Sequence, residues 1–196
     1  MDSLTAHDSD LATIFARFGY PPLWAREASF ATLVHIILEQ QVSLASAKAA
    51  FDRLRAALGQ IEPQSLLTLD DAALKAIGFS RQKTHYARLL AQALLNGQLD
   101  LARLSRRPDD EVRATLKQLK GIGDWTVDIY LLMALRRPDV WPIGDLGLAI
   151  AAQEVKGLAV RPTPSQLEVL GETWRPWRAV AARLLWHHYL SVRARR

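Results

Sequence analysis

An all-α fold is predicted for this chain on three observations. Apolar residues recur at helical spacing along most of its length: Leu33, Ile37 and Leu44; Leu66, Leu69, Ala73 and Ile77; Val112, Leu116 and Leu119; Val180 and Leu184 after Trp177. No segment shows the period-two alternation of a half-buried strand. The residues between the apolar runs are those that start and stop helices. In chain order, Gln40-Gln41-Val42-Ser43 interrupts an apolar run, and Ser43 is placed to cap a helix continuing to Leu58. Gly78 and Gly97 read as helix stops. Pro108-Asp109-Asp110-Glu111 sets proline and three acids in a first turn, where carboxylates complement the positive end of the helix dipole. Thr163-Pro164-Ser165-Gln166 offers an N-cap, proline at the first helical position and Gln at N3, which satisfy otherwise orphaned amides. Roughly eight to ten helices with short connections are expected, given a mean helix of about 11 residues.

Composition bounds the function. The 196 residues are 49% hydrophobic and 23% charged, with mean hydropathy near zero, as in an ordinary soluble globular protein. Twenty-five Lys and Arg against 20 Asp and Glu give a formal charge of +5, which favours an anionic partner without naming one. The chain has no cysteine, which excludes disulfides, thiolate nucleophiles, Cys-based zinc sites and cysteine-ligated iron–sulfur clusters. The N-terminus carries acids where a signal peptide needs a basic region and an apolar core. No stretch reaches the apolar length of a membrane span, so no membrane association and a cytoplasmic location are expected, nucleoid-associated in a bacterium.

The most informative segment is Leu116 to Leu135, LKQLKGIGDWTVDIYLLMAL, where a polar helical run breaks at Gly121-Ile122-Gly123 and restarts as an apolar one. Glycine reaches positive φ and leaves the backbone open to a close neighbour. Amides at the start of the following helix point outward with its positive end, an arrangement suited to phosphate. A plain connection between two packed helices explains the same glycines. LKAIGFSRQKTHYARLL is a weak echo of this segment, explained by ordinary helix–turn–helix chemistry.

The flanks carry a resemblance. L-x-G-I-G-x-W-T, followed some twenty residues later by WPIGDL (Trp141 to Leu146), resembles the helix-hairpin-helix DNA glycosylase superfamily, HhH-GPD, in its 3-methyladenine DNA glycosylase II branch. IILEQQVSLASA (Ile36 to Ala47), GFSRQK (Gly78 to Lys83) and WRPWRAVAARLLW (Trp174 to Trp186) extend it over most of the chain beyond about residue 20. The resemblance implies a two-lobed helical unit with the active-site cleft between the lobes and no N-terminal β-rich domain. Its central lobe would lie at about 31–145, with the hairpin at 116–135, and its second lobe would comprise 1–30 with 146–196. It implies base excision repair by a glycosylase acting on 3-methyladenine- or 7-methylguanine-type lesions in double-stranded DNA, as a monomer.

By resemblance Asp145 occupies the catalytic aspartate position. A carboxylate there suits a reaction that builds positive charge on a sugar. Asp145 precedes LGLAIAAQEV, so it also reads as a helix N-cap, where the dipole favours its ionised form, and the two roles can coexist. In the superfamily's strand-cleaving members a lysine of the hairpin helix attacks the sugar. Trp125 stands at that position, so water is the expected nucleophile and the intact abasic strand the expected product. A non-catalytic DNA-binding protein and a glycosylase with AP lyase activity are the rivals. Asp124 and Asp128 read as solvated or hydrogen-bonding positions.

Trp125 and Trp186 are implied as base-pocket walls, with His187 in place of the family's frequent tyrosine and Ile129 where some relatives have tyrosine. An indole face attracts a cationic alkylated base by about 0.5–2 kcal/mol. Trp24, Trp141 and Trp174 read as core packing. Gln41 takes the family's wedge position, filling the gap left by a flipped nucleotide, while for Gln40 a buried polar cap is an equal reading. Gly121, Gly123, Lys120, Arg81 and Lys83 are the candidate phosphate contacts, with Arg183, Arg193, Arg195 and Arg196 as further cations and Arg178 as a structural ion pair. The tail from Arg193 is expected to be disordered. No metal or organic cofactor is required, although carbonyls around Leu119 to Ile122 could hold a monovalent cation.

Overall fold

The computed structural model describes residues 1–194, and among these every regular element is helical, with no strand. The helices are α1 (Asp2–His7), α2 (Ser9–Phe18), α3 (Phe30–Glu39), α4 (Leu44–Leu58), α5 (Pro63–Thr68), α6 (Asp71–Ile77) and α7 (Arg81–Leu95). After them come α8 (Leu101–Leu104), α9 (Asp109–Leu116), α10 (Asp124–Ile129), a π-helical turn (Tyr130–Ala134), α11 (Leu146–Val155), α12 (Pro164–Glu172) and α13 (Arg178–Arg193). Thirteen α-helices among the described residues exceed the eight to ten expected, because short polar breaks with their own caps divide the apolar runs. Asp70 accepts from the Ala73 amide at 2.8 Å and Asp100 from that of Arg103 at 2.9 Å, so α6 and α8 each begin independently. The predicted caps at Ser43, Thr163 and Asp145 are present, and Gly78 ends α6 in the left-handed region.

The chain divides into two compact units: Arg26–Tyr130, and a split unit that combines Met1–Ala25 with the residues from Leu131 onward. The central unit therefore ends earlier than the expected boundary near 145, which places Asp145 in the split unit.

In the central unit α3 is the core element. Leu33, Val34, Ile36 and Ile37 are wholly buried, and α3 packs against α4, α7 and α10. Burying a largely apolar helix on several neighbours removes much apolar area from water, at about 25 cal/mol per Å². Leu44 departs from its predicted core place and is 59% exposed. The break at Gln40–Ser43 starts α4 as a new helix whose phase is independent of α3.

In the split unit α2 and α11 pack against α13, whose buried face is Ala179, Ala181, Ala182, Leu184, Leu185 and Trp186. Asp8 joins the two chain segments. It caps α2 through the Asp10 and Leu11 amides, receives Lys156 Nζ at 2.8 and 2.9 Å, and accepts Trp174 Nε1 at 2.8 Å. Burial alone would raise this carboxyl, but the hydrogen bonds from Lys156, Trp174 and Leu11 outweigh it and hold Asp8 below the usual carboxylate range. Trp141 and Trp174 meet edge to face at 5.2 Å in the core, as predicted.

Candidate functional site

Asp145 sits at the head of α11 after the turn Pro142–Asp145, closed by the Asp145 amide donating to the Pro142 carbonyl at 2.9 Å. Its Oδ1 accepts two N–H groups, the Leu148 backbone amide at 2.7 Å and the Trp186 indole at 3.0 Å. The helix start fixes the carboxylate from one side and α13 fixes it from another. Gly147 leaves the room: a Cβ there would lie 3.3 Å from Oδ1. Such a carboxylate cannot swing freely, which is what stabilising a charge at a defined point requires. Cap and candidate catalyst are thus one side chain.

Trp24, expected in the core, is only half buried and meets Trp186 edge to face at 6.4 Å. Its backbone has φ +46°, an uncommon value for a bulky residue. The Leu23 carbonyl before it is held at 3.0 Å by Arg183 Nε. Two indoles and a carboxylate therefore share one neighbourhood in the split unit. Sequence reading missed Trp24 because nothing local distinguishes a tryptophan that packs from one that lines a surface.

Arg183 is not a phosphate contact. It is buried, and it also donates to the Leu132 carbonyl at 2.7 Å; burial pushes its guanidinium below the ordinary value. Arg193 likewise lies within α13, paired to Glu154 at 2.9 Å, not in a disordered tail. Arg195 and Arg196 lie outside the described residues. Arg178 forms the predicted ion pair, reaching Asp139 at 2.8 Å. His187 Nε2 bonds the Phe18 carbonyl at 3.0 Å, so this ring nitrogen already serves the fold and is not free to meet a base. Ile129 is 2% exposed and presents almost no surface to a ligand, which sets it with the core.

In the central unit the hairpin separates its two glycines. Gly121 has φ +94°, and a Cβ there would overlap the Tyr86 ring, so this glycine is required by packing within the protein. Gly123 has nothing within 4 Å of the corresponding position and caps α10 with φ −101°. Its space is open to something outside the chain. Around it lies a recess of about 460 Å³ lined by Gln40, Gln41, Lys83, Tyr86, Lys117 and Lys120, among others. Lys120 is exposed, as is Arg81 at the start of α7. Lys117 pairs with Asp124 at 2.6 Å. Lys83 Nζ donates to the Leu38 carbonyl at 2.7 Å, and burial lowers its pKa from the ordinary value. Asp128 is buried against Arg113 at 2.6 Å, which gives it a structural role, and Trp125 is half buried.

Gln41 follows α3 with φ +57° and an exposed side chain, and Val42 and Leu44 beside it are 46% and 59% exposed. Gln40 points the other way. Its Nε2 donates to the Gly121 carbonyl at 2.9 Å and to Thr126 Oγ1 at 3.0 Å. The Gly121 and Leu119 carbonyls proposed for a monovalent cation thus already accept hydrogen bonds, the second from the Ile122 amide at 3.1 Å. No group of three or more His, Asp or Glu suited to a metal occurs among the described residues. No helix among them is long and apolar enough to cross a membrane.

The family model of HhH-GPD superfamily base excision DNA repair proteins matches residues 34–177. The chain is 29% identical over 165 residues to DNA-3-methyladenine glycosylase 1 of Schizosaccharomyces pombe, a match covering 82% of this chain and 72% of that protein. It is 30% identical over 167 residues to DNA-3-methyladenine glycosylase 2 of Escherichia coli, covering 79% of this chain and 55% of that one. Two other relatives, from Bacillus subtilis and S. pombe, are spanned over 65% and 59% of their lengths. The solved structure of S. pombe 3-methyladenine DNA glycosylase Mag1 in complex with abasic DNA matches with a TM-score of 0.88 at 28% identity, over 93% of this chain and 92% of that one.

Proposed function

The chain belongs to the HhH-GPD superfamily of base excision DNA repair proteins, and from that membership we propose that it is a monofunctional DNA glycosylase. It hydrolyses the bond between deoxyribose and alkylated bases of the 3-methyladenine or 7-methylguanine type in duplex DNA and leaves an abasic site. The observation that carries this reading is the Asp145 carboxylate held by the Leu148 amide and the Trp186 indole. The names of the relatives agree with it.

A base alkylated on a ring nitrogen carries positive charge. When its bond to C1′ breaks, the electron pair goes to the base, which leaves neutral and needs no general acid. The charge passes to the sugar, where a fixed carboxylate lowers the energy of the oxocarbenium-like state. Water then bonds to C1′ and gives up its proton to Asp145 or to solvent. Indole faces at Trp186 and Trp24 attract the cationic base before the bond breaks. No amine stands at position 125, so no Schiff base forms and the strand survives.

On the DNA side, Gly123 and the α10 amides donate to a backbone phosphate, with Lys120, Lys83 and Arg81 adding sequence-independent attraction. Gln41 enters the gap left by the flipped nucleotide, and the exposed Val42 and Leu44 offer apolar surface to neighbouring base steps.

Incubating the protein with methylated duplex DNA should release free methylated bases, with strand breaks only after alkali. Asp145→Asn should lower base release by about 100-fold or more while DNA binding persists. Breaks without alkali would remove the monofunctional assignment, and undiminished release by Asp145→Asn would remove this residue from the chemistry.

A further inference from the structure

We infer that Gln40 is a positioning residue that couples the wedge at Gln41 to the phosphate-binding hairpin, an inference resting on the wedge reading of Gln41. Gln40 ends α3, and its backbone turns extended at ψ 121° before Gln41 enters the left-handed region at φ +57°. A turn with that conformation at a glutamine is costly unless its surroundings impose it. The imposing contact is the Gln40 amide. One Nε2 group donates to a carbonyl of the hairpin turn, Gly121, and to a side chain of the following helix, Thr126, more than eighty residues away in sequence.

Each partner is itself held in place. Gly121 is seated on the Tyr86 ring with no room for a side chain, and Thr126 is 2% exposed. The other end of the connection is equally fixed, because Lys83 Nζ grips the Leu38 carbonyl two residues before Gln40. The side chains of residues 40 and 41 consequently divide the work: the first reads the hairpin and the second is presented to solvent. Gln40, Gln41, Gly121 and Gly123 all line the same recess. A phosphate seated at Gly123 therefore sets where the wedge enters the duplex. Glutamine suits this task because its amide offers two N–H donors, to the Gly121 carbonyl and to the Thr126 hydroxyl oxygen, whereas a carboxylate at the same place would face the Gly121 carbonyl with like partial charge.

A double-mutant cycle tests the coupling. Binding of fluorescein-labelled duplex containing an abasic-site analogue, and of the same duplex undamaged, is measured by anisotropy for wild type, Gln40→Ala, Gln41→Ala and the double variant. Thermal melting of each checks the fold. Gln40→Ala should weaken binding to the abasic duplex about three- to tenfold, as for loss of one or two hydrogen bonds, with undamaged DNA affected less. In the Gln41→Ala background the same substitution should have little further effect. Gln40→Glu should be no better than Gln40→Ala. Independent, multiplicative losses would overturn the coupling while leaving the wedge reading intact. An unchanged affinity for Gln41→Ala would overturn both. Should Gln40→Ala melt far below wild type, Thr126→Val, which removes one acceptor and keeps the shape, replaces it in the cycle and is judged by the same criterion.

Discussion

At the scale of the residue, the molecule repeatedly gives one side chain two duties. Asp145 starts α11 and faces Trp186, so the bond that caps the helix also orients the carboxylate. Replacing Trp186 by Phe keeps an aromatic face and removes the N–H at 3.0 Å from Oδ1 together with part of a buried ring. Loss of a hydrogen bond to a charged group costs about 1.5–3 kcal/mol, so single-turnover excision should slow by about tenfold or more, with a modest fall in melting temperature from the smaller buried ring. Excision at the wild-type rate would show that the indole N–H does not orient Asp145. The carboxylate was legible in the sequence through WPIGDL, but its indole partner was legible only as a pocket wall. Hydrogen bonding between residues 41 positions apart leaves no periodic trace. His187 and Arg183 show the converse: a polar or basic residue on an apolar helix attracts a functional reading, and here each instead satisfies backbone carbonyls, which buried polar groups must do.

At the scale of the element, the hairpin distinguishes two glycines that look alike in sequence. Gly121→Ala places a methyl group into the Tyr86 ring at a positive φ and should destabilise the protein by about 1–3 kcal/mol, measured by urea unfolding. Gly123→Ala meets nothing within 4 Å and keeps an allowed φ, so its stability should change by less than about 0.5 kcal/mol. Its affinity for duplex DNA should nevertheless fall severalfold if phosphate approaches there. Equal stability losses for the two substitutions would contradict the packing account, and full DNA affinity for Gly123→Ala would move the phosphate elsewhere. The apolar run after the hairpin reads in sequence as one helix to Leu135. The chain instead passes from α10 into a π turn at Tyr130–Ala134, where it also leaves the central unit. Widening of a helix by one residue depends on what packs around it, and local propensity carries no mark of it.

At the scale of the whole molecule, the split unit is assembled from two chain segments that the central unit separates, and Asp8 ties them through Lys156 and Trp174. Asp8 is held below its ordinary value of 3.8, so its contribution is fully present above that pH and is lost as pH falls through the lower folded value. Lys156 has the opposite sign. Burial alone would lower it, but the hydrogen bonds it donates to Asp10 and Asp8 raise it above 10.5, and its contribution fades as pH rises through the raised value. Urea unfolding as a function of pH should therefore show wild type losing stability below about pH 4 more steeply than Asp8→Asn. Parallel acid limbs would show that this junction does not respond to protonation.

The amino-acid sequence alone determined the helical class, most helix starts and the HhH-GPD resemblance, and it singled out Asp145, Gln41 and the two hairpin glycines as candidates. These depend on spacing and on local capping chemistry, which act between residues a few positions apart. Tertiary structure alone decided that Trp24 stands beside Trp186, that Gln40 grips the hairpin, that Leu44 faces solvent and that Arg183 serves the interior. The physical reason is common to all four. Each depends on groups brought together by burial and hydrogen bonding across large sequence separations, and a side chain's own type does not say which neighbours the fold will supply.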